Sequence, residues 1–133
     1  MVVSRGRLQD ASLLPGFIAE DDGRPVGLAT YRVDRDDCEV VSIHSAREGR
    51  GAGTALLQAV AGAARTAGCS RVWLITTNDN LHAIRFYQRR GWDLAALHRD
   101  AMARSRELKP EIPERGEDGI PIRHELEFEL RLA

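Results

Sequence analysis

The part of this sequence best suited to chemistry is a glycine-rich turn between an apolar run and a segment with helical spacing. Gly49, Gly51 and Gly53 occupy alternate positions, so the backbone can turn tightly and its amides can approach a ligand without an intervening side chain. The first N–H groups of the following helix lack partners within the helix and carry the positive end of its dipole. Arg50 adds a planar cation suited to phosphate. These features predict an anion site, for which phosphate or pyrophosphate is the usual ligand.

Two well-known phosphate-binding loops do not fit this spacing. A P-loop has lysine and then serine or threonine after its last glycine, whereas Gly53 is followed by Thr54 and Ala55. A dinucleotide-binding loop has a third glycine and an acidic residue after the next strand. Counted from Gly51, the third glycine is absent, and residues 76–78 (Thr-Thr-Asn) follow the next apolar run. The turn therefore binds another class of phosphate ligand, or its glycines serve packing alone.

Length and charge limit the class of protein. The 133 residues are the size of a single domain, here taken as 1–133, and an apolar content of 43% is enough for a core. With 19 basic and 20 acidic residues the net charge is −1, which argues against broad nucleic-acid binding. A local basic patch from Arg85, Arg89 and Arg90 remains compatible with this balance.

Cysteine usage and hydropathy indicate the compartment. The two cysteines, Cys38 and Cys69, provide neither a disulfide framework nor paired metal spacing, so we expect buried thiols in a reducing cytosol. No apolar run reaches membrane-spanning length, and the N-terminus lacks a signal-peptide core. We also find no metal-ligand cluster and no Ser-His-Asp set, so we expect a cytoplasmic protein without a metal or a membrane partner.

The elements around the glycine turn change character along the chain. Residues 16–20, 26–33 and 38–44 read as an antiparallel meander whose first turn contains Asp22-Gly23. The pattern then alternates between helix and strand, with a helix at 51–67, a continuous apolar strand at 72–75, a helix at 81–90 and a strand at 92–98. This order predicts an α/β fold with a mixed sheet.

Both ends of the chain give weaker signals. Val2 and Val3 fit a short strand, and 4–14 reads as loop. Residues 101–108 fit a short helix, and 110–121 is either a solvated connection or a substrate flap. Strict alternation from 125 to 132 predicts a half-exposed antiparallel strand beside 92–98. Its apolar face is Leu126, Phe128, Leu130 and Leu132, and its outward face is Glu125, Glu127, Glu129 and Arg131.

Taken in order, these motifs resemble the GNAT superfamily of N-acetyltransferases. Gly51 and Gly53 match the small positions of its pyrophosphate loop, while Glu48, preceded by Arg47, stands where the superfamily has glutamine or arginine. The second signature is matched by Asn80, Ala83, Phe86, Tyr87, Gly91 and Trp92. The resemblance implies an acyl-CoA N-acyltransferase fold, with acetyl-CoA as co-substrate and an amine acceptor that attacks the thioester directly.

The resemblance also assigns residues to the cofactor. Backbone amides of Arg50, Gly51, Ala52, Gly53 and Thr54 are expected at the pyrophosphate. The N–H groups of Ile43, His44 and Ser45 are expected at the thioester carbonyl. Asn80, Ala83 and Tyr87 are the matching cofactor contacts on the second helix, although Asn80 is equally suited to cap that helix.

Three residues are candidates for proton transfer. Tyr87 matches the tyrosine that protonates the leaving thiolate, and a phenol with a pKa of about 10 can donate to a thiolate whose thiol has a pKa of about 8.5. The alternative is a core tyrosine. Glu39 and His44 are candidates for the base that deprotonates the amine, and their alternatives are a solvent-facing strand residue and an ordinary half-buried histidine.

The resemblance is incomplete at the N-terminus. Family members usually begin with a strand and two helices before the meander, and little sequence precedes residue 16 here. We therefore expect a shortened form or, as the favoured alternative, a homodimer that completes the domain. A second functional hypothesis is a non-catalytic acyl-CoA-binding or regulatory module, because fold alone does not establish activity. A macromolecular amine is a third possibility, and the near-neutral charge makes tRNA unlikely.

Overall fold

The computed structural model describes residues 2–4, 7–9, 13–46 and 51–133. The chain divides into two compact units, residues 10–72 with 131–133 and residues 73–130 with 1–9. The first contains the meander and the helix after the glycine turn, and the second contains the remaining helices.

The meander of the first unit is confirmed. Its strands are β3 (Gly16–Asp21), β4 (Arg24–Asp34) and β5 (Asp37–Ser45), each antiparallel to the next. The helix α1 (Ala52–Thr66) follows, and its apolar stripe of Leu56, Leu57, Val60, Ala61 and Ala64 is buried. A Cβ at Gly27 of β4 would lie 3.0 Å from Leu56 Cδ1, so α1 packs closely against this strand.

A β-bulge in β5 sets which side chains share a face of this sheet. Thr30 pairs with Ser42 and Tyr31 with Val40, so Val41 is the extra residue. Glu39 and His44 are five positions apart, an odd offset that would place them on opposite faces of a regular strand. Because of the bulge, both candidate bases lie on one face. It is the face opposite α1, since Gly27 and Ala29 point towards the helix.

The second unit contains most of β6 (Arg71–Thr77) and β8 (Glu125–Arg131), together with α2 (Leu81–Arg89), β7 (Asp93–His98) and α3 (Ala101–Leu108). Strand β8 lies between β6 and β7, and its predicted antiparallel pairing with the segment at 92–98 is confirmed. Two short strands, β1 (Val2–Ser4) and β2 (Arg7–Gln9), pair with each other. The assignment of 4–14 as loop therefore missed β2, because three residues carry too little periodicity.

The predicted half-exposure of β8 is wrong. Glu125 and Glu127 are only 2% and 6% exposed, although the pattern placed them outward. Glu127 Oε1 lies 3.0 Å from His98 Nε2 on the neighbouring strand. A buried carboxylate is tolerated when it is paired. Alternation correctly separated the two faces but did not reveal that the polar face is covered.

The mixed α/β fold class and the order of elements are confirmed. Before β3, the described residues 2–4, 7–9 and 13–15 include no α-helix. Within the described ranges, none of the helices is long and apolar enough to cross a bilayer.

Phe128 tests the core of the second unit. It is fully buried, with its ring centroid 5.8 Å from that of Tyr87. Phe128→Ala should lower the free energy of unfolding in urea by about 3–5 kcal/mol, and Phe128→Leu by less. The control is Leu94→Ala, because Leu94 pairs with Phe128 in register but is 55% exposed. We expect it to cost under about 1 kcal/mol. Equal losses in the two alanine variants would contradict this core.

Candidate active site

The N-terminus of α1 has the properties of an anion site. Gly51, its N-cap, has φ 78° and ψ 0°, a left-handed conformation that favours glycine. The first hydrogen bond of the helix runs from Ala55 N–H to Gly51 O at 2.9 Å. No described side chain caps this end and the first turn carries no carboxylate, so the described residues of this helix terminus favour an anion. The predicted site residue Arg50, with Arg47 and Glu48, lies outside the described residues.

The N-terminus of α2 differs because the chain itself satisfies its amides. Asn80 Oδ1 accepts from Ala83 N–H at 3.1 Å, and Asn80 Nδ2 donates to Thr76 Oγ1 at 3.2 Å. Leu81 N–H donates to Glu117 Oε2 at 3.1 Å. The capping role of Asn80 is therefore present, and its contact with a cofactor stays a prediction.

Glu117 brings the 110–121 segment to the turn before α2. Its N–H lies 3.4 Å from Asp79 Oδ2, and the buried Asp79 also accepts from Thr77 Oγ1 at 2.5 Å. Gly116 lies so close to Asp79 that an added Cβ would collide with the carboxylate. The description of 110–121 as merely solvated is therefore insufficient. No local sequence pattern indicates a role for Glu117, because its contacts are with residues more than thirty positions away.

Tyr87 is the buried residue of α2. Its ring centroid lies 5.4 Å from that of Phe86, 5.6 Å from that of Trp92 and 5.8 Å from that of Phe128. Burial raises the pKa of Tyr87 to about 12. The phenol therefore keeps its proton throughout the neutral range, as a proton donor must, and its packing is equally that of a core residue.

Residues at the end of β5 surround an open cavity. Ile43 is half-buried, and His44 and Ser45 are exposed. His44 and Ser45 line a cavity of about 430 Å³ together with Ile18, Pro25, Val26 and Leu28. The structure thus places one candidate base beside a space large enough for a small ligand.

The other candidate base, Glu39, has a different environment. It is buried, and its Oε1 lies 3.2 Å from Arg32 Nη2. Between Glu39 and His44 on the same face, Ser42 Oγ and Thr30 Oγ1 are 2.6 Å apart. Glu39 and His44 therefore lie on the same face of the sheet, but Glu39 is buried beside Arg32 whereas His44 is exposed beside the cavity.

The cysteines are not candidate nucleophiles. Burial is the main cause that raises the pKa of Cys38, to about 12, and it also raises the pKa of Cys69. Both therefore remain thiols at neutral pH, and the thiolate is the reactive form. Among the described side chains, no group of three His, Cys, Asp or Glu residues could hold a metal ion.

The predicted site residues are divided between the units. Ile43, His44, Ser45 and the start of α1, with Ala52, Gly53 and Thr54, belong to the first unit, as does Glu39. Asn80, Ala83 and Tyr87 belong to the second.

Comparison with known proteins identifies the family. A model described as the acetyltransferase (GNAT) family matches residues 5–92. The uncharacterized protein YdhI of Bacillus subtilis is 51% identical over 116 residues, 86% of this chain and 72% of that protein. An uncharacterized N-acetyltransferase of Methanocaldococcus jannaschii is 34% identical over 107 residues, 78% of this chain and 62% of that protein.

A solved structure shows the same fold. It is a Bacillus subtilis acetyltransferase in complex with CoA, with a TM-score of 0.73 and 22% identity, and the match covers 87% of this chain and 75% of that one. Because the family model matches more than half of the residues, the chain belongs to the GNAT acetyltransferase family.

Proposed function

We propose that this protein transfers the acetyl group of acetyl-CoA to a primary amine. The observation that carries the proposal is the N-terminus of α1, where a left-handed glycine precedes amides that no described side chain caps. A diphosphate fits such an end, because N–H groups and the helix dipole both favour negative charge. Family membership supports acetyl transfer, and the Methanocaldococcus jannaschii relative is named as an N-acetyltransferase.

In the proposed reaction, the amine nitrogen attacks the carbonyl carbon of the thioester. A C–N bond forms and the C–S bond breaks, and the electron pair of that bond leaves on sulfur. An acceptor that arrives as an ammonium first loses one proton to the base and then attacks as a neutral amine. After the C–N bond has formed, its nitrogen loses a second proton, and the thiolate gains one from the acid. The products are an acetamide and a free thiol.

We assign the acid to Tyr87. Burial raises its pKa to about 12 and would make it a weak donor to a thiolate in water. Burial acts on thiols in the same direction, since it is the main cause that brings the pKa of Cys38 to about 12. A leaving thiolate in similarly buried surroundings would therefore be matched to Tyr87, and matched pKa values favour proton transfer.

We assign the base to His44. It is exposed beside the cavity at the end of β5, whereas the carboxylate of Glu39 is buried against Arg32. A base must be within reach of the proton that it removes, directly or through one water. Glu39 remains the alternative base.

A non-catalytic CoA-binding module is the second candidate function. It is favoured by the packing of Tyr87 against three aromatic rings and by the hydrogen bonds of Asn80 within the chain. Release of free thiol from acetyl-CoA with a panel of amines distinguishes the two. A module would bind CoA and release none.

Gly51→Ala tests the anion site. A side chain at φ 78° is strained, so the turn should shift and its amides should lose their alignment. We expect CoA to bind at least about tenfold more weakly by calorimetry, because a hydrogen bond to a charged group contributes roughly 1.5–3 kcal/mol.

The control for this test is Gly62→Ala in the same helix, where the new methyl group would meet no atom within 4 Å. It should leave the CoA affinity unchanged and stabilise the helix by up to about 1 kcal/mol. Wild-type affinity in Gly51→Ala would contradict the proposed phosphate site.

Tyr87→Phe tests the acid. The change keeps the ring and removes only the hydroxyl, so kcat should fall by about 10²–10⁴-fold while KM for acetyl-CoA changes little. The matched control is Tyr31→Phe, since Tyr31 also stacks on an aromatic ring, that of Phe17, at 5.8 Å. If kcat stays at the wild-type value in Tyr87→Phe, Tyr87 is a core residue and not the acid.

His44→Gln and Glu39→Gln distinguish the two bases. We expect His44→Gln to lower kcat/KM by about 10²-fold at neutral pH, and Glu39→Gln to lower stability more than turnover. The deficit of His44→Gln should shrink as the pH approaches the pKa of the amine, about 10.4 for a lysine-like acceptor, because the amine then needs no base. The reverse pattern would assign the base to Glu39.

A further inference from the structure

We propose that the cavity beside His44 binds the acceptor, and that the acceptor is a primary amine carried on an apolar chain or ring. The inference rests on the proposed function and specifies its substrate class. The cavity lies entirely within the first unit, so its geometry is set by β3, β4 and β5.

The floor of the cavity is one row of paired residues across three strands. Ile18 pairs with Leu28, and Leu28 pairs with His44, so the three side chains point to the same face. This is the face opposite α1, whereas the proposed phosphate site is at the start of α1. The cavity therefore suits the second substrate better than the diphosphate end of the first.

The walls of the cavity are mostly apolar. Pro25 and Val26 join Ile18 and Leu28, and of the described lining residues only His44 and Ser45 have polar side chains. Ligand sites of roughly 300–1,000 Å³ commonly combine apolar walls with a few polar groups that orient the ligand. A volume of about 430 Å³ falls within that range.

Exposure supports a ligand here. Ile18 is 62% exposed and Leu28 is 40% exposed, so apolar surface remains to be covered. One row further along the same face, Thr30 is buried and its hydroxyl lies 2.6 Å from that of Ser42. These hydroxyls contact each other, so the neighbouring row offers a substrate little polar recognition.

The position of the cavity matches the proposed chemistry. Two of its lining residues, His44 and Ser45, belong to the segment expected to hold the thioester carbonyl, and His44 is the proposed base. An amine whose apolar part lies on Ile18, Val26 and Leu28 would present its nitrogen to His44. A second ammonium on the same chain would lose hydration against these side chains, which is unfavourable.

The test compares hexylamine with cadaverine, which has the same length but ends in a second ammonium. Acetyl transfer is followed as release of CoA thiol from acetyl-CoA. We expect kcat/KM for hexylamine to exceed that for cadaverine by about tenfold or more. The acidic residues Glu20, Asp21 and Asp22 at the nearby hairpin would favour cadaverine instead, so an equal or reversed preference overturns the proposal.

Two variants locate the preference in the cavity. Leu28→Ala should raise KM for hexylamine by about tenfold and leave KM for acetyl-CoA unchanged, because only apolar contact with the acceptor is lost. Ile18→Glu should shift the preference towards cadaverine, since it places a carboxylate on the floor. Leu94→Ala, at an exposed leucine of the other unit, is the control and should change neither constant.

The outcomes separate this inference from the proposed function. If no amine releases thiol although CoA binds, the proposed transfer fails, and calorimetry of hexylamine and cadaverine with the CoA-bound protein then decides the cavity. Tighter binding of hexylamine that is weakened by Leu28→Ala supports the apolar site. Equal binding, or binding that Leu28→Ala does not change, overturns it.

Discussion

The register of β4 against β5 determines what the first unit presents to a substrate. Because Val41 is an extra residue in β5, the alternation of side chains between the two faces shifts by one residue at this point. Both candidate bases, Glu39 and His44, therefore lie on the face opposite α1. Along that face the environment changes from the open row of Ile18, Leu28 and His44 to the buried ion pair of Arg32 and Glu39. A single inserted residue thus places Glu39 and His44 on one face, which is apolar around His44 and carries an ion pair at Glu39.

Helices α1 and α2, whose N-caps are Gly51 and Asn80, differ in whether their N-termini can accept an anion. The first amides of any α-helix lack partners within the helix. In α2, Asn80 and Glu117 accept hydrogen bonds from these amides, whereas α1 begins after Gly51 with no described side chain as a cap. A carboxylate from the chain would compete with phosphate for the same amides and dipole. The presence of that carboxylate at one helix and its absence from the first turn of the other determine which end suits a diphosphate.

Local patterns in the sequence predicted the element order and the family, but contacts across the chain lay beyond them. Alternation and turn residues located the meander, and the spacing from Asn80 to Trp92 located α2 and Tyr87. The burial of Glu125 and Glu127 was mispredicted, because periodicity separates two faces without showing what covers each. The contact between Asp79 and Glu117 was missed for a related reason: the two residues are 38 positions apart, and neither is unusual in its own neighbourhood. The apolar cavity required the register of three strands, which no single segment contains.

The contact between Gly116 and the Asp79 carboxylate has a consequence for how this protein can vary. Any residue larger than glycine at 116 would displace the carboxylate that also holds Thr77 and the amide of Glu117. Glu117 in turn accepts from Leu81, so a change in the loop would reach the first turn of the helix that carries Tyr87. If the 110–121 segment were replaced by that of a relative, the new segment would need glycine at position 116, or Asp79 would have to be replaced at the same time.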